Sequence, residues 1–349
     1  MRTGCPGTGC THRDRLRGGT DGRCPGRQVT GTPLASGEPL VSVVVPNFNG
    51  ERLIRDCLTS VLGQTYPRVE CLVVDDGSTD GSVAIIEAEF PEVLLVRRGQ
   101  NGGFARAAND GLRKAQGEII ALLNNDAAAG PTWVEQIVAT FRRHPEAGSV
   151  ATKMVLWDSP RIINSAGDLF RRNGVPDSRG VWETDAGQYD QEVEVFGASG
   201  GAGAYRRQML DEIGYFDERF FMYCEDVDLA FRAQTKGFKC IYAPEAVVRH
   251  RLSATGGGPL ASYQCGRNFI WILARDFPAL AWRRYWPRVL MTQLGLAWQA
   301  VSHLREPAAR ARLRGQFAGL RTMPQFVAER RMWAQGRRVS DDYLVALLT

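Results

Sequence analysis

Long apolar segments are scarce in this chain of 349 residues. The longest charge-free run of the C-terminal region, 289–304, has 16 residues, five of them polar, whereas a membrane-spanning helix needs about 20 apolar residues. The first 36 residues contain no apolar stretch of the kind that signal peptides carry. We therefore expect neither a transmembrane helix nor a signal peptide.

Paired cysteines are also missing. None of the eight cysteines forms a Cys-x-x-Cys pair, which argues against a zinc ribbon. Cys57 and Cys71 lie within apolar segments, so we expect them to be small core residues. This cysteine usage favours a reducing compartment, and we predict a cytoplasmic protein.

The net charge of +5 is unevenly distributed along the chain. Residues 275–349 hold thirteen Arg, no Lys and five acids, and residues 1–40 hold six Arg and three acids, which leaves residues 41–274 at −6. Such a basic C-terminal region favours contact with phosphates or an anionic surface.

Aromatic residues lie beside the arginines of this basic region, as they would at a bilayer interface. They are Trp282, Tyr285, Trp286 and Trp298. We predict peripheral association with the inner face of the cell membrane. A helical subdomain that packs on the rest of the protein, with solvated arginines, is the alternative.

Apolar runs alternate with amphipathic helical patterns in the first part of the chain. Strands are predicted at 41–46, 69–76, 92–96 and 118–126, and helices at 51–64, 82–90, 103–116 and 131–144. The short links between them imply a mostly parallel sheet covered on both faces.

The pattern changes after residue 145. It predicts a strand at 148–157, an irregular stretch with a hairpin at 158–195, and a glycine-rich approach to a short helix at 197–214. A helix at 225–237, a strand at 238–244 and helices from 260 onward complete the prediction.

Polar clusters follow the predicted strands, in the segments PNFNG, DDGSTD, NGG and NND. Ligands of parallel sheets bind at the carboxyl ends of strands, so these clusters should line one crevice. The adjacent carboxylates of Asp75 and Asp76 repel each other and usually face a partner such as a cation, a base edge or a sugar hydroxyl. A turn followed by a helix cap at Ser78 or Asp80 is the simpler interpretation.

A further acidic cluster opens the helix predicted at 225–237. Glu225, Asp226 and Asp228 lie in its first turn, where the helix dipole favours acids and simple capping would explain them. We expect Asp228 to anchor this helix through Arg232, four residues on. The glycines of 197–203 do not have the spacing of a dinucleotide-binding motif.

Seven segments in order resemble a known family. They are VSVVVPNFNG, VVDDGSTDGS, NGGFARAANDG, LLNND, GASGGAGAYRRQ, GYFDERFFMYCEDVDLAFR and APEAVVRH. Together they are similar to family 2 inverting glycosyltransferases of the GT-A fold, in the branch of bacterial rhamnosyltransferase-like enzymes. The resemblance covers residues 40–255.

This resemblance implies an α/β protein of the GT-A fold, with a mostly parallel, Rossmann-like sheet flanked by helices and a C-terminal helical extension. We predict a disordered extension at 1–38, a catalytic domain at 39–255 and a basic helical region at 256–349.

The resemblance also implies a function. We expect a non-processive hexosyltransferase of polysaccharide or cell wall synthesis, with a nucleotide-sugar donor and a glycan or polyprenyl-diphosphate-linked acceptor. dTDP-L-rhamnose is the favoured donor, and a UDP-hexose is the alternative. No nucleic acid partner is expected.

Two other functions compete with this one. Processive synthases carry Gln-x-x-Arg-Trp, but here Gln264 and Arg267 are followed by Asn268. A catalytically inactive nucleotide-sugar-binding protein is the other alternative, against which the retained Asp75, Asp126 and Asp226 argue.

The resemblance assigns roles residue by residue. Asp226 matches the catalytic aspartate, which takes the proton of the acceptor hydroxyl. Asp126 stands for the last acid of the Asp-x-Asp motif and would hold Mn²⁺ or Mg²⁺ beneath the diphosphate, while Asn124 replaces the first acid. His250 would be a further metal ligand, which favours Mn²⁺.

The remaining site residues fall into two predicted groups. Those expected at the nucleotide sugar are Pro46, Asn49, Glu51, Asp75, Asp76, Gly102, Gly103, Asn124 and Asn125. Those expected on the acceptor side are Gly200, Gly201 and Glu225.

Overall fold

The computed structural model describes residues 34, 37–252 and 257–349. The extension predicted to be disordered at 1–38 lies outside the described residues, apart from positions 34, 37 and 38.

Strands and helices alternate in the first part of the described chain, and helices alone form its C-terminal part. The strands are β1 (Val41–Asn47), β2 (Val69–Asp75), β3 (Leu94–Arg97), β4 (Ile119–Leu122), β5 (Ala127–Ala129), β6 (Ala147–Leu156), β7 (Ile163–Ser165), β8 (Asp168–Phe170), β9 (Pro176–Ser178), β10 (Val193–Val195), β11 (Gly203–Arg206) and β12 (Lys239–His250). The helices are α1 (Ile54–Leu62), α2 (Ser82–Glu89), α3 (Phe104–Lys114), α4 (Trp133–Arg143), α5 (Arg207–Ile213), α6 (Glu225–Thr235), α7 (Gly258–Arg275), α8 (Ala279–Ser302), α9 (Pro307–Ala334) and α10 (Asp341–Ala346).

The central sheet has the strand order β10-β12-β6-β11-β4-β1-β2-β3. β1 pairs in parallel with β2 and β4, and β3 extends β2 in parallel. β6 and β12 are also parallel, but β11 lies between β4 and β6 and runs antiparallel to both. The predicted mostly parallel sheet is confirmed. β11 is an antiparallel insertion, and the sequence pattern predicted no strand at 203–206.

Helices cover both faces of this sheet, which explains why every residue of β1 is buried. α1 buries Ile54, Cys57, Leu58 and Val61, a helical spacing, against the core shared with α4. α3, α5 and α6 pack on the opposite face. Cys57 and Cys71 are both core residues, as predicted.

The hairpin predicted within 158–195 is confirmed as the antiparallel pair β8–β9, which forms a separate two-stranded sheet. The amide of Asp168 at the start of β8 donates to the carbonyl oxygen of Gly197 at 2.9 Å. This contact holds the hairpin against the glycine-rich segment that precedes β11.

The C-terminal helices join the rest of the protein through an aromatic core. Trp271 of α7 stacks on Phe326 of α9, with ring centroids 4.4 Å apart and planes 17° from parallel. Phe220, from the loop before α6, packs edge-on against Trp271 at 5.5 Å. Within the described ranges, none of the helices combines the length and apolar character needed to cross a bilayer.

Candidate active site

A cavity of about 580 Å³ opens where β1, β2 and β4 end. Residues from the predicted polar clusters line it, together with the β8–β9 hairpin, the loop before α6, and α7. From the predicted site the lining includes Pro46, Asp76, Gly103, Asn124, Asn125, Asp126, Gly200, Gly201, Glu225, Asp226 and His250. A volume of this size suits a ligand of several hundred daltons.

The paired carboxylates after β2 have separate partners. Asp75 accepts hydrogen bonds from the side-chain amide of Asn47 at 2.9 Å and from the Ser78 amide at 3.1 Å. Asp76 accepts from the amides of Gly102 and Gly103 and pairs with the Arg98 guanidinium at 2.9 Å. Arg98 and these amides therefore offset the repulsion within the pair.

The glycines of the NGG segment permit this arrangement. Gly103 has a φ of +88°, and a Cβ atom there would lie 2.5 Å from the Phe221 ring. A side chain would therefore clash with the loop before α6 and strain the backbone. The two glycines bring their backbone close to Asp76 and Phe221.

Asn47 is a central residue of the site that sequence reasoning missed. Its amide group donates to Asp75 and to Ser82, and its Oδ1 accepts from the Asn125 side chain at 2.8 Å. It thereby links the ends of β1, β2 and β4. Its place in the quoted cluster PNFNG was the available signal.

Four residues predicted at the nucleotide are not among those that line the cavity: Asp75 and Gly102, whose contacts are given above, and Asn49 and Glu51. Asn49 accepts from the Thr79 amide at 2.9 Å, and Glu51 accepts from the Gly81 amide at 3.1 Å. Both residues brace the loop between β2 and α2. Their contact with a nucleotide stays a prediction.

Asp126 and His250 lie together, although 124 positions separate them. The Nε2 atom of His250 is 3.2 Å from Oδ1 of Asp126, and its Nδ1 atom is 3.0 Å from Oδ1 of Asn164. An amide oxygen only accepts, so Nδ1 donates to Asn164, and Nε2 faces the carboxylate of Asp126. A cation could bind both Nε2 and this carboxylate.

This pair fits part of a divalent metal site. Carboxylate and imidazole are ligands that Mn²⁺ accepts, and Asn164 orients the ring by accepting a hydrogen bond from its Nδ1 atom. Among the described residues no group of three or more His, Cys, Asp or Glu could hold a metal. The remaining ligands would have to come from the diphosphate and water.

Asp226 lies in the first turn of α6 and is held by backbone amides. Its Oδ2 atom accepts from Gly200 at 2.9 Å and its Oδ1 atom from Val227 at 2.8 Å. Burial raises its pKa, and these hydrogen bonds offset that rise only in part. Each oxygen retains a lone pair for a hydroxyl of a bound ligand.

The loop before α6 has an uncommon backbone. Phe221, Tyr223 and Cys224 all have φ between +66° and +68°, a region that costs bulky residues energy. The side-chain amide of Asn268 on α7 holds this loop by donating to the carbonyl oxygens of Phe220, Met222 and Tyr223. Sequence reasoning noted Asn268 only as a departure from the synthase motif.

A buried ion-pair network links α6 to α7. Asp228 accepts from Arg232 at 2.9 Å, as the spacing predicted. It also pairs with the fully buried Arg275 of α7, which reaches Asp217 at 2.8 Å. Breaking such a buried pair is costly, so α6 is tied firmly to α7.

Comparison with known proteins shows which family this chain resembles. Residues 42–214 match the family Glycosyl transferase family 2. Glycosyltransferase AglE of Haloferax volcanii is 37% identical over 264 residues, which cover 69% of this chain and 77% of that protein. N-acetylglucosaminyl-diphospho-decaprenol L-rhamnosyltransferase of Mycobacterium tuberculosis is 29% identical over 267 residues, with 70% and 87% covered.

The match to a third relative is partial. O-antigen biosynthesis protein RfbC of Myxococcus xanthus is 27% identical over 229 residues, and the chain spans only 18% of its length.

Among solved structures, the mannosyltransferase PcManGT of Pyrobaculum calidifontis, in complex with GDP-Man and Mn²⁺, has a similar fold. Its TM-score is 0.52 at 20% identity, and the alignment covers 91% of this chain and 88% of that one. From the family match over residues 42–214 and the identity with AglE, the chain belongs to glycosyl transferase family 2 and is a glycosyltransferase.

Proposed function

We propose that this chain transfers a sugar from a nucleotide diphosphate donor to an acceptor hydroxyl with inversion, and that Asp226 is the base. The observation that carries the proposal is the cavity that Asp126 and Asp226 share. The acceptor oxygen attacks the anomeric carbon, the bond from that carbon to the diphosphate oxygen breaks, and the acceptor proton passes to Asp226. The amides of Gly200 and Val227 hold the carboxylate for this step.

In the same proposal the donor diphosphate lies over Asp126 and His250. A bound Mn²⁺ or Mg²⁺ would neutralise the charge that builds on the departing diphosphate. Asp126 and His250 would hold it, and Asn164 would fix the imidazole. Asp76, Asn124, Asn125 and the backbone of 102–103 would face the nucleotide sugar.

For the substrates we propose dTDP-L-rhamnose as donor and a polyprenyl-diphosphate-linked glycan as acceptor. Likeness to the mycobacterial L-rhamnosyltransferase supports the rhamnosyl group of the donor and the lipid-linked acceptor. A UDP-hexose is the second donor to test. The catalytic unit of this proposal is 39–255, and the region 256–349 braces it through Asn268 and Arg275.

We also propose that α8 and α9 dock on an anionic membrane. Exposed apolar side chains recur on α8 at helical spacing: Trp286, Leu290, Leu294, Trp298 and Val301. The opposite side of α8 buries Ala281, Val289 and Ala300. An amphipathic helix whose apolar face points to solvent is typical of interfacial binding.

The charge of this face matches an anionic bilayer. Residues 279–334 contain ten Arg and two Glu, and Glu329 is already paired with Arg219 and Arg275. α9 adds an exposed apolar row of Phe317, Leu320, Met323 and Val327. Docking there would keep a cytoplasmic enzyme beside a lipid-linked acceptor.

A donor screen tests the function. Thermal shift is measured with dTDP-rhamnose, UDP-glucose, UDP-N-acetylglucosamine and GDP-mannose, each with and without Mn²⁺, followed by donor hydrolysis. At a hundred times its Kd a donor should stabilise the protein by about 2.7 kcal/mol. Binding without hydrolysis or transfer would indicate an inactive nucleotide-sugar-binding protein, and the absence of any binding would reject the proposal.

A further inference from the structure

The acceptor side of the cavity contains carboxyl groups beyond the one that the proposed reaction uses. Asp168 at the start of β8 and Glu225 in the first turn of α6 line the cavity with Asp226. Asp168 is 8% exposed and Glu225 is 4% exposed. The Oε2 atom of Glu225 has no hydrogen-bond partner in the described part of the protein, although it is buried. Such an atom lacks a donor that a bound ligand could supply.

Neither Lys nor Arg balances these groups in the part of the chain that the structure describes. Of the described residues that line the cavity, none is Lys or Arg, and six are acids: Asp76, Asp126, Asp168, Asp177, Glu225 and Asp226. Asp76 is paired with Arg98 and Asp177 with Arg171. In the described ranges, neither Lys nor Arg pairs with Asp168, Glu225 or Asp226. Burial and the charge of Asp226 raise the pKa of both Asp168 and Glu225, so a bound ligand that donates hydrogen bonds or carries positive charge favours their ionised forms, whereas a bound anion opposes them.

The placement of Asp168 puts this charge beside the proposed base. The Asp168 amide donates to Gly197, and the Gly200 amide donates to Asp226, so one short segment positions both carboxyl groups. An anionic group of the acceptor would lose its hydration shell next to three carboxyl groups, which is costly. A hydroxyl or an ammonium group would instead donate hydrogen bonds to them.

We infer that Asp168 and Glu225 select the acceptor by charge: they favour a sugar that presents hydroxyl or ammonium groups and reject one that presents a carboxylate. Asp168 acts on acceptor choice and takes no proton in the reaction. The inference rests on the proposed function, because it assumes that the acceptor occupies the Asp226 end of the cavity.

Three probes that differ in one substituent test this selection. Methyl β-D-glucopyranoside, its 2-amino-2-deoxy analogue and methyl β-D-glucopyranosiduronate are mixed in equal amounts, and their binding is ranked by saturation-transfer NMR at neutral pH. We expect the uronate to bind the wild-type protein at least about tenfold more weakly than the other two. The arginines of α8 and α9 would favour the anionic probe, so they cannot produce this ranking.

Two variants complete the experiment. Asp168→Asn keeps the shape of the side chain and should reduce the discrimination against the uronate several-fold. Asp177→Asn is the matched control, because Arg171 already balances Asp177, and it should leave the ranking unchanged. Equal binding of all three probes to the wild-type protein would overturn the inference, as would an unaltered ranking in Asp168→Asn of native melting temperature.

The proposed function is tested separately by donor hydrolysis. Wild-type protein that ranks the probes as expected but hydrolyses no nucleotide sugar would reject the proposed reaction and retain the charge selection. Protein that hydrolyses a nucleotide sugar but binds the uronate as well as the glucoside would retain the proposed reaction and reject the charge selection.

Discussion

The side-chain amide nitrogen of Asn268 lies 2.7 Å from the carbonyl oxygen of Tyr223. Through this bond and two others, α7 holds the strained loop that leads into Asp226. We predict that Asn268→Ala lowers kcat at least about tenfold, because strain of about 1–3 kcal/mol per residue then relaxes and shifts the carboxylate. Donor Kd should change little. Gln325→Ala, which removes an exposed amide from α9, is the control, and an Asn268→Ala enzyme with native kcat would refute the role.

Asp226→Asn should leave donor binding nearly intact while transfer falls by about 10²–10⁴-fold, the usual effect of losing a positioned base. Because burial raises the pKa of Asp226, wild-type transfer should also decline as the pH is lowered through that raised pKa, where the base becomes protonated. A pH–rate profile with both proteins checks this. Retention of more than a tenth of wild-type turnover by Asp226→Asn would assign the base elsewhere, with Glu225→Gln as the next variant to measure.

Asp126→Ala should abolish metal-dependent donor binding, since it removes the only carboxylate next to His250 among the described lining. His250→Ala should weaken the dependence on Mn²⁺ without unfolding the protein. Calorimetric titration of the nucleotide diphosphate, with and without chelator, separates the two. The control is His144→Ala, which follows α4, lies beside Glu146 and Glu192 and is not in the cavity lining. Undiminished donor binding in excess chelator would disprove the metal's role.

The network around Arg275 predicts a pH-dependent stability. Burial alone would raise the pKa of Asp217, but hydrogen bonds from Arg219 and Arg275 outweigh it and lower the pKa to about 2. Relative to an unfolded value of about 3.9, this contributes about 2 kcal/mol of stability at neutral pH, lost as the pH falls from 4 towards 2. Urea unfolding should show Asp217→Asn less stable than wild type at pH 7, with the gap closing below pH 4. The exposed Asp158→Asn serves as control, and a gap that does not vary with pH would contradict the prediction.

Arg→Gln at positions 283, 284 and 288 should weaken flotation with anionic vesicles, since each arginine near the surface contributes about 1 kcal/mol. Salt should release the wild-type protein, because exposed charges are screened. The control removes the same charge elsewhere, with Arg→Gln at 52, 55 and 97. Equal, salt-insensitive partition of all three proteins would reject electrostatic docking, and self-association through α8 in gel filtration would identify a second copy as the partner.

Local pattern was sufficient for much of the fold. The helices α1, α3 and α4 begin and end within a few residues of the predicted bounds, because their apolar spacing is decided by neighbours three and four positions away. The pairing of Asp228 with Arg232 follows from the same spacing. The sequence also located the polar clusters, because strands of a parallel sheet deliver their carboxyl ends to one edge.

Contacts between distant segments were beyond such reasoning. Asp76 is paired with Arg98, a partner that the sequence did not identify. The loop before α6 is held by Asn268 of α7, which lies 45 positions after Tyr223. Asp168 reaches the cavity only because β8 pairs at Gly197. None of these carries a local signal, since a single polar residue in an irregular stretch has no periodicity to interpret.

By itself the sequence determined which residue types could hold a nucleotide sugar and a cation, and at which strand ends they would stand. Tertiary structure alone decided which carboxylates that line the cavity are paired, with Arg98 or Arg171, and which have neither Lys nor Arg beside them in the described part of the chain. The physical reason is that a charge interacts over a few ångströms of space, whatever its separation along the chain.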